Sequence, residues 1–280
     1  MKKTLFISDL DGTLLNAQAN LPAEAARRIN RLTGQGVMIT YATARTVRSV
    51  SSILGEIDFT LPGACPAALM NGVLVRDMKT GEYIRAAVLD RDKAQAVLDA
   101  VTAGGDAEPF IYALDRDTPI AGDPLITCWK RLANDAMRAF MDERIERFGK
   151  PFVHIGSLGD VPGEIVYFAV IGSKEAVTAA AERVGGIAGT KYACYRDAYS
   201  PSVWYLEVFD ESASKKNAAE FLRTITGADE LVCFGDNHND LPMFEAADVS
   251  VAVENAVGEV KAAADSVTDD VVKFIEEYLQ

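Results

Sequence analysis

The chain has 280 residues, 28 Lys+Arg against 41 Asp+Glu for a net charge of −13, and is 49% apolar and 25% charged. That balance excludes a disordered, collagen-like or coiled-coil chain. It also argues against a nucleic-acid surface, which needs a Lys/Arg excess to neutralise phosphates; an anionic small molecule, which needs only a few local cations, stays open.

The first residues carry two lysines and an apolar run too short for a signal peptide, ending at Asp9. The longest uncharged stretch, 59–75, contains Pro62, Gly63, Pro66, Asn71 and Gly72, so it does not read as a membrane helix. A cytoplasmic protein without nucleic-acid or membrane partners is expected, its oligomeric state open and a monomer compatible with the sequence. Cys65, Cys128, Cys194 and Cys233 are scattered without CxxC spacing and read as buried thiols rather than a zinc or disulfide frame.

Residues 5–7 form a short apolar strand that runs into an acidic loop. A helix is expected over 22–33, with Pro22 at its start, Ala26, Ile29 and Leu32 on one face, and Gly34 and Gly36 ending it. Strands follow at 37–43 and 67–70, separated by a short helix at 46–54; the second ends at Asn71-Gly72, and 73–75 continue as a hairpin. The middle of the chain has its own rhythm. Strands are expected at 83–89, 109–114, 153–155, 165–171 and 192–195. Helix faces are expected on Ala94, Val97, Leu98 and Val101, on Met137, Phe140, Met141, Ile145 and Phe148, and on Val177, Ala180, Ala181 and Val184. The C-terminal part gives strands at 205–209, 231–234 and 249–253, a helix face of Ala218, Phe221, Leu222 and Ile225, and a last helix carrying Val271, Phe274, Ile275 and Tyr278. Strand–helix alternation with nearly continuous apolar strands predicts an α/β fold, a doubly wound parallel-sheet (Rossmann-like) core over 1–82 and 198–280. Residues 83–197 are long enough to bury their own core and read as an inserted α+β domain.

Four features fall at strand ends, where open α/β sheets place their active crevice. They are Asp9-Leu10-Asp11-Gly12-Thr13, Thr43 with Arg45, Lys215 ahead of a helix, and Asp236 with Asn239 and Asp240. Any one alone is ordinary turn or cap chemistry. D-x-D-G-T arises by chance in roughly one chain of this length in several hundred, and a later GDxxND with Thr and Lys between makes coincidence remote. Together they suit phosphoryl transfer. A carboxylate can attack phosphorus, and a hard divalent cation, best Mg²⁺, would offset repulsion between carboxylates and phosphate. Thr43 and Lys215 can bind the transferring oxygens. A second Asp can protonate the leaving oxygen and later deprotonate water.

On these motifs the chain resembles, over essentially its whole length, the haloacid dehalogenase-like phosphatases of the Cof-type subfamily, which carry a large α/β cap between the second and third motifs. The resemblance implies Asp9 as nucleophile and Asp11 as general acid/base. It implies phosphate binding by Leu10, Thr43, Lys215 and Asn239. It implies a Mg²⁺ held by Asp9, the Asp11 backbone carbonyl and Asp236, with Asp240 supporting from behind. Asn71-Gly72 matches the family's NG turn and Asn255-Ala256 its late NA step. The chain departs from the pattern at Ala44 and Lys216, where the family commonly has Gly, and at 268–271, which runs into the last helix without the usual SND-x-DG segment.

Arg45 is open between substrate contact and structural ion pair. Trp129-Lys130-Arg131, His154, His238, Arg196 and Tyr199 are weaker candidates. The expected activity is phosphate release from a small phosphorylated metabolite, a sugar phosphate or nucleotide-like phosphate. A phosphomutase of the same superfamily and a receiver-like phospho-aspartate signalling protein are the alternatives.

Overall fold

Strands β1 (Thr4–Ser8), β2 (Met38–Tyr41), β3 (Ala67–Leu69), β4 (Leu74–Arg76) and β5 (Tyr83–Ala86) come first along the computed structural model, which describes residues 2–117, 123–197 and 200–280. Then come β6 (Pro109–Leu114), β7 (Leu125–Trp129), β8 (Phe152–His154), β9 (Glu164–Gly172), β10 (Thr190–Arg196) and β11 (Trp204–Asp210). Last are β12 (Glu230–Gly235), β13 (Val249–Val253) and β14 (Ser266–Thr268). The helices are α1 (Ala23–Gly34), α2 (Val47–Ile53), α3 (Arg91–Thr102), α4 (Asp135–Phe148), α5 (Lys174–Val184), α6 (Lys215–Thr226), α7 (Leu241–Phe244), α8 (Gly258–Ala263) and α9 (Val271–Tyr278). The chain divides into two units, Met1–Ala86 with Ala213–Gln280, and Ala87–Ser212.

The first unit is built on a parallel sheet of order β14-β13-β12-β1-β2. β1 lies inside it, and Leu5, Phe6 and Ile7 are all buried, which is why that strand is an unbroken apolar run. They share a core with Ile29 and Leu32 of α1, Ala218 and Leu222 of α6, and Val271 and Ile275 of α9. Burying a side chain of this size contributes about 1.5–3 kcal/mol, so these helical faces hold α1, α6 and α9 to the sheet. Isolated parallel bridges, Ile39 to Ala64 and Ala42 to Ala68, lead from β2 towards β3. β3, β4 and β5 then form a small antiparallel sheet.

The second unit has a six-stranded sheet of order β10-β11-β9-β6-β7-β8, antiparallel except for β7 with β8. Ile111, Phe168, Val170, Leu206 and Val208 pack under Val97 and Val101 of α3 and Val177, Ala180 and Val184 of α5. The alternate residues carry rings, with Phe110 stacked on Phe140 of α4 at 5.3 Å and Tyr167 on Phe209 at 5.8 Å.

Two strands sit elsewhere than the sequence suggested. The run from Tyr83 ends at Ala86 and pairs with β4 in the first unit. The run expected in the C-terminal core, 205–209, belongs to β11, which pairs with β9 and β10 in the second unit. An apolar strand carries no label for its sheet; β11 is committed by its short return from β10, where Asp197 N–H donates to Val203 O at 2.9 Å. β7 and β14 were not anticipated, and β14 has only three residues. No helix among the described residues is long and apolar enough to cross a membrane.

Candidate active site

Strand register sets the first side chains. Ser8 pairs with Phe234 on one side and Tyr41 on the other. Asp9, Asp236 two beyond Phe234, and Thr43 two beyond Tyr41 therefore leave the sheet at one edge. Asp9 N–H donates to Phe234 O at 3.0 Å, and Thr43 N–H to Ala68 O at 3.0 Å. Residues 10–14 form a single turn in which Gly12 has φ +81°, and a Cβ there would run into the Asp236 carboxylate. Asn255 Nδ2 donates to Gly12 O at 2.7 Å, and Thr13 Oγ1 donates to Asp236 Oδ1 at 3.2 Å.

Lys215 is delivered by α6. Ser214 caps that helix by accepting from Asn217 N–H at 3.0 Å, and Gly227 at φ +65° closes it. Lys215 is its first residue, and its side chain is fully buried. The Asn71-Gly72 turn explains its own glycine: Gly72 has φ +89°, and a Cβ would strike the Ser214 carbonyl and Lys215 N–H. Met70 and Asn71 also have positive φ, so three consecutive left-handed residues press this turn against the start of α6.

The Lys215 ammonium is the hub. Nζ donates to Asp9 Oδ1 at 2.5 Å and to Asp240 Oδ1 at 2.6 Å. Asp9 is 5% exposed and Asp240 0%. The other Asp240 oxygen accepts from the N–H groups of Asp236 at 2.9 Å and Asn237 at 3.1 Å, so both of its oxygens are used inside the protein. Carboxylate oxygens of Asp9, Asp236 and Asp240 lie within 4.8 Å of one another. Burial pushes the Asp9 carboxyl up to about 7, opposed by Lys215 and helped by Asp240 and Asp236. Burial, then Asp240, raises Asp236 as well. Burial works against the Lys215 charge, but Asp9 and Asp240 outweigh it and raise its pKa. Oδ2 of Asp9 and Oδ2 of Asp236 accept no hydrogen bond among the described residues. Hard oxygen donors in anionic excess fit Mg²⁺, and Asp9 and Asp236 could hold it.

The Asp11 carboxylate stands apart from that trio, 46% exposed and paired with Arg45 at 2.5 Å. Thr43 is fully buried, and its Oγ1 accepts Arg45 N–H at 3.1 Å. Leu10 is buried beside Asp9, and its carbonyl accepts Leu15 N–H at 2.9 Å. Asn239 Nδ2 donates to Asn71 Oδ1 at 3.3 Å, bringing the NG turn and the last motif together. His238 Nε2 lies 2.9 Å from Glu259 Oε2, and Lys216 pairs with Glu245 at 3.1 Å. Thr13 and Ser49, the latter a partner of Arg45, are the contacts that sequence reasoning did not single out; Thr13 was in view as the last residue of D-x-D-G-T.

The weaker candidates Trp129, Lys130, Arg131, His154 and Arg196 all belong to the second unit. There Trp129 meets the His154 ring edge-on at 4.7 Å, and Arg131 pairs with Glu108 at 3.1 Å. Tyr199 lies outside the described residues.

A model of the haloacid dehalogenase-like hydrolases matches residues 6–273. The 5-amino-6-(5-phospho-D-ribitylamino)uracil phosphatase YwtE of Bacillus subtilis is 27% identical, with 97% of this chain and 96% of that protein covered. Among solved structures, a haloacid dehalogenase-like hydrolase from Bacteroides thetaiotaomicron superposes with TM-score 0.76 at 21% identity, over 99% of this chain and 100% of that one. The HAD subclass IIB sugar phosphatase BT4131 does so with TM-score 0.68 at 20% identity, over 99% and 98%. With a family match spanning nearly the whole sequence, and the same fold in both solved structures, the chain belongs to the haloacid dehalogenase-like hydrolase family and is an enzyme of its Cof-type branch.

Proposed function

We propose that this hydrolase is a Mg²⁺-dependent phosphatase that releases phosphate from a small phosphorylated metabolite through an aspartyl-phosphate on Asp9. The observation that carries the reading is the buried Asp9 carboxylate, oriented by Lys215 at 2.5 Å with Asp236 and Asp240 beside it. One Asp9 oxygen is tied to Lys215, and the other is left to attack phosphorus. As the bond to the leaving oxygen breaks, that oxygen takes a proton from Asp11. Water then attacks the aspartyl-phosphate, gives its proton to Asp11, and frees Asp9 and phosphate. Lys215, Thr43, Asn239 and Leu10 hold the phosphoryl oxygens. Bound Mg²⁺, held by Asp9, Asp236 and the Asp11 carbonyl, would supply charge neutralisation for the phosphoryl group. Asp240, with both oxygens engaged, positions Lys215.

The second unit, Ala87–Ser212, is read as the cap that selects the leaving group. The substrate class is a sugar phosphate or nucleotide-like phosphate, in keeping with relatives named for a ribitylamino-uracil phosphate and for sugar phosphates. The test is a panel of phosphorylated metabolites assayed for inorganic phosphate. Mg²⁺-dependent release on at least one member, lost in Asp9→Asn, is expected. Release that survives both chelation and Asp9→Asn would refute the reading.

A further inference from the structure

Arg45 follows Thr43 and Ala44 on the loop after β2. Its Nε donates to Asp11 Oδ2 at 2.7 Å and its Nη2 to Asp11 Oδ1 at 2.5 Å, a two-pronged fork on one carboxylate. The fork is itself held. Nη1 donates to Ser49 Oγ at 2.9 Å, and the Arg45 carbonyl accepts Met70 N–H at 3.1 Å. All three guanidinium nitrogens are thus engaged within the protein. Asp11 is half-exposed and accepts no other hydrogen bond among the described residues. Without the fork, a short exposed side chain samples several rotamers, whereas proton transfer needs one oxygen within hydrogen-bond reach of the reacting atom.

We propose that Arg45 is a positioning residue that fixes the Asp11 carboxylate for proton transfer, an inference that rests on Asp11 being the acid/base of the proposed phosphatase. The two bonds from Arg45 occupy two of about four lone-pair sites on the carboxylate. The remaining sites carry the proton that passes to the leaving oxygen in the first step and arrives from water in the second. Arg45 acts through Asp11, the ion-pair reading of the two that the sequence left open, rather than by direct substrate contact.

Leaving-group dependence tests this. 4-Nitrophenyl phosphate expels an oxygen that needs little help from a proton, whereas an alkyl phosphate such as a sugar phosphate needs it fully. Because kcat/KM reports only the steps up to departure of the leaving group, Arg45→Ala should lower kcat/KM on the alkyl phosphate by about tenfold or more and on the aryl phosphate by less than about threefold. Asp11→Asn should show the same bias. Adding Arg45→Ala to Asp11→Asn should cost nothing further on the aryl phosphate, since the two residues act as one unit. Equal losses of kcat/KM on both leaving groups, a raised KM at unchanged kcat, or a further loss in the Asp11→Asn background would each overturn the proposal. A wild-type protein inert on both esters would overturn the phosphatase reading and this inference with it; a flat leaving-group response from an active wild type overturns the inference alone.

Discussion

Replacing Lys215 with methionine keeps an unbranched side chain, one atom shorter, and removes the ammonium with its charge and its N–H donors. Lys215 is 2% exposed and lies 2.5 Å from Asp9 and 2.6 Å from Asp240, both buried. The variant leaves two buried carboxylates without their ammonium. Removing one partner of a buried ion pair typically costs about 3–5 kcal/mol, because the remaining charge is stranded. At about 2–4 °C per kcal/mol for a unit of this size, the first unit should melt roughly 10 °C lower. Calorimetry in chelator at pH 8 reads this directly. Asp9, already raised with Lys215 present, rises further without it, so acidification towards pH 5 should recover part of the loss by protonating a carboxylate. Adding Asp240→Asn should also recover stability, because it removes one stranded charge while an amide oxygen still accepts the Asp236 and Asn237 N–H groups. A Lys215→Met protein melting within about 2 °C of wild type, or one made less stable by Asp240→Asn, would show that the ammonium is not what holds this cluster together.

Asp9→Asn should fold and lose Mg²⁺-dependent phosphate release; more than about a tenth of wild-type activity, a barrier change under roughly 1.4 kcal/mol, would remove Asp9 from its role. Chelation should stop turnover, and Asp236→Ala should raise the Mg²⁺ concentration needed for half-maximal rate, so an unchanged Mg²⁺ curve would count against Asp236 as a ligand. In the metal-free protein the folded Asp9 carboxyl, near 7, lies above its unfolded value near 3.9. The folded state then holds more protons at Asp9 across that window, so stability to denaturant measured relative to Asp9→Asn should fall as pH rises from about 4 to 7; a rise in that difference would contradict the sign. KM for a phosphate ester should fall as Mg²⁺ approaches saturation, and a KM indifferent to Mg²⁺ would exclude binding of cation before substrate.

The parallel core was readable because its strands are short apolar runs followed directly by polar, glycine-bearing loops. β1, with Leu5, Phe6 and Ile7 buried and Asp9 next, is the clearest case. What could not be read was the partner of an apolar strand. β11 has the same apolar character as β12, yet it pairs antiparallel with β9 and β10, a choice made by a turn and by the facing strands rather than by its own residues. β5 shows the converse: its pairing with β4 is local, but the apolar residues beyond it, Ala87 and Leu89, made the run look longer than the strand is. β7 hid because Leu125–Trp129 is bracketed by Pro124 and by the polar Lys130-Arg131, which drew attention to surface chemistry instead.

At the site, the identities were legible and the pairings were not. Sequence brought Asp9, Lys215, Asp236 and Asp240 into one list, but only the fold shows that Lys215 bridges Asp9 to Asp240 and that Asp240 spends its second oxygen on backbone N–H groups. That difference separates two aspartates four residues apart. Asp236 has an oxygen that accepts no hydrogen bond among the described residues, whereas both Asp240 oxygens accept one or more, Oδ1 from the lysine. The same contacts decide the sign of the field. Three carboxylates gathered within 4.8 Å with one ammonium among them are net anionic when ionised, and burial amplifies that charge because little water screens it. A phosphate ester approaching such a pocket is repelled, whereas a divalent cation is attracted and cancels the excess. Lys215 cannot do this alone, since its single positive charge faces three carboxylates. The acidic cluster is therefore not by itself a phosphate site. A cation bound there would remove that barrier, which is the physical reason to expect the proposed metal to enter before the substrate.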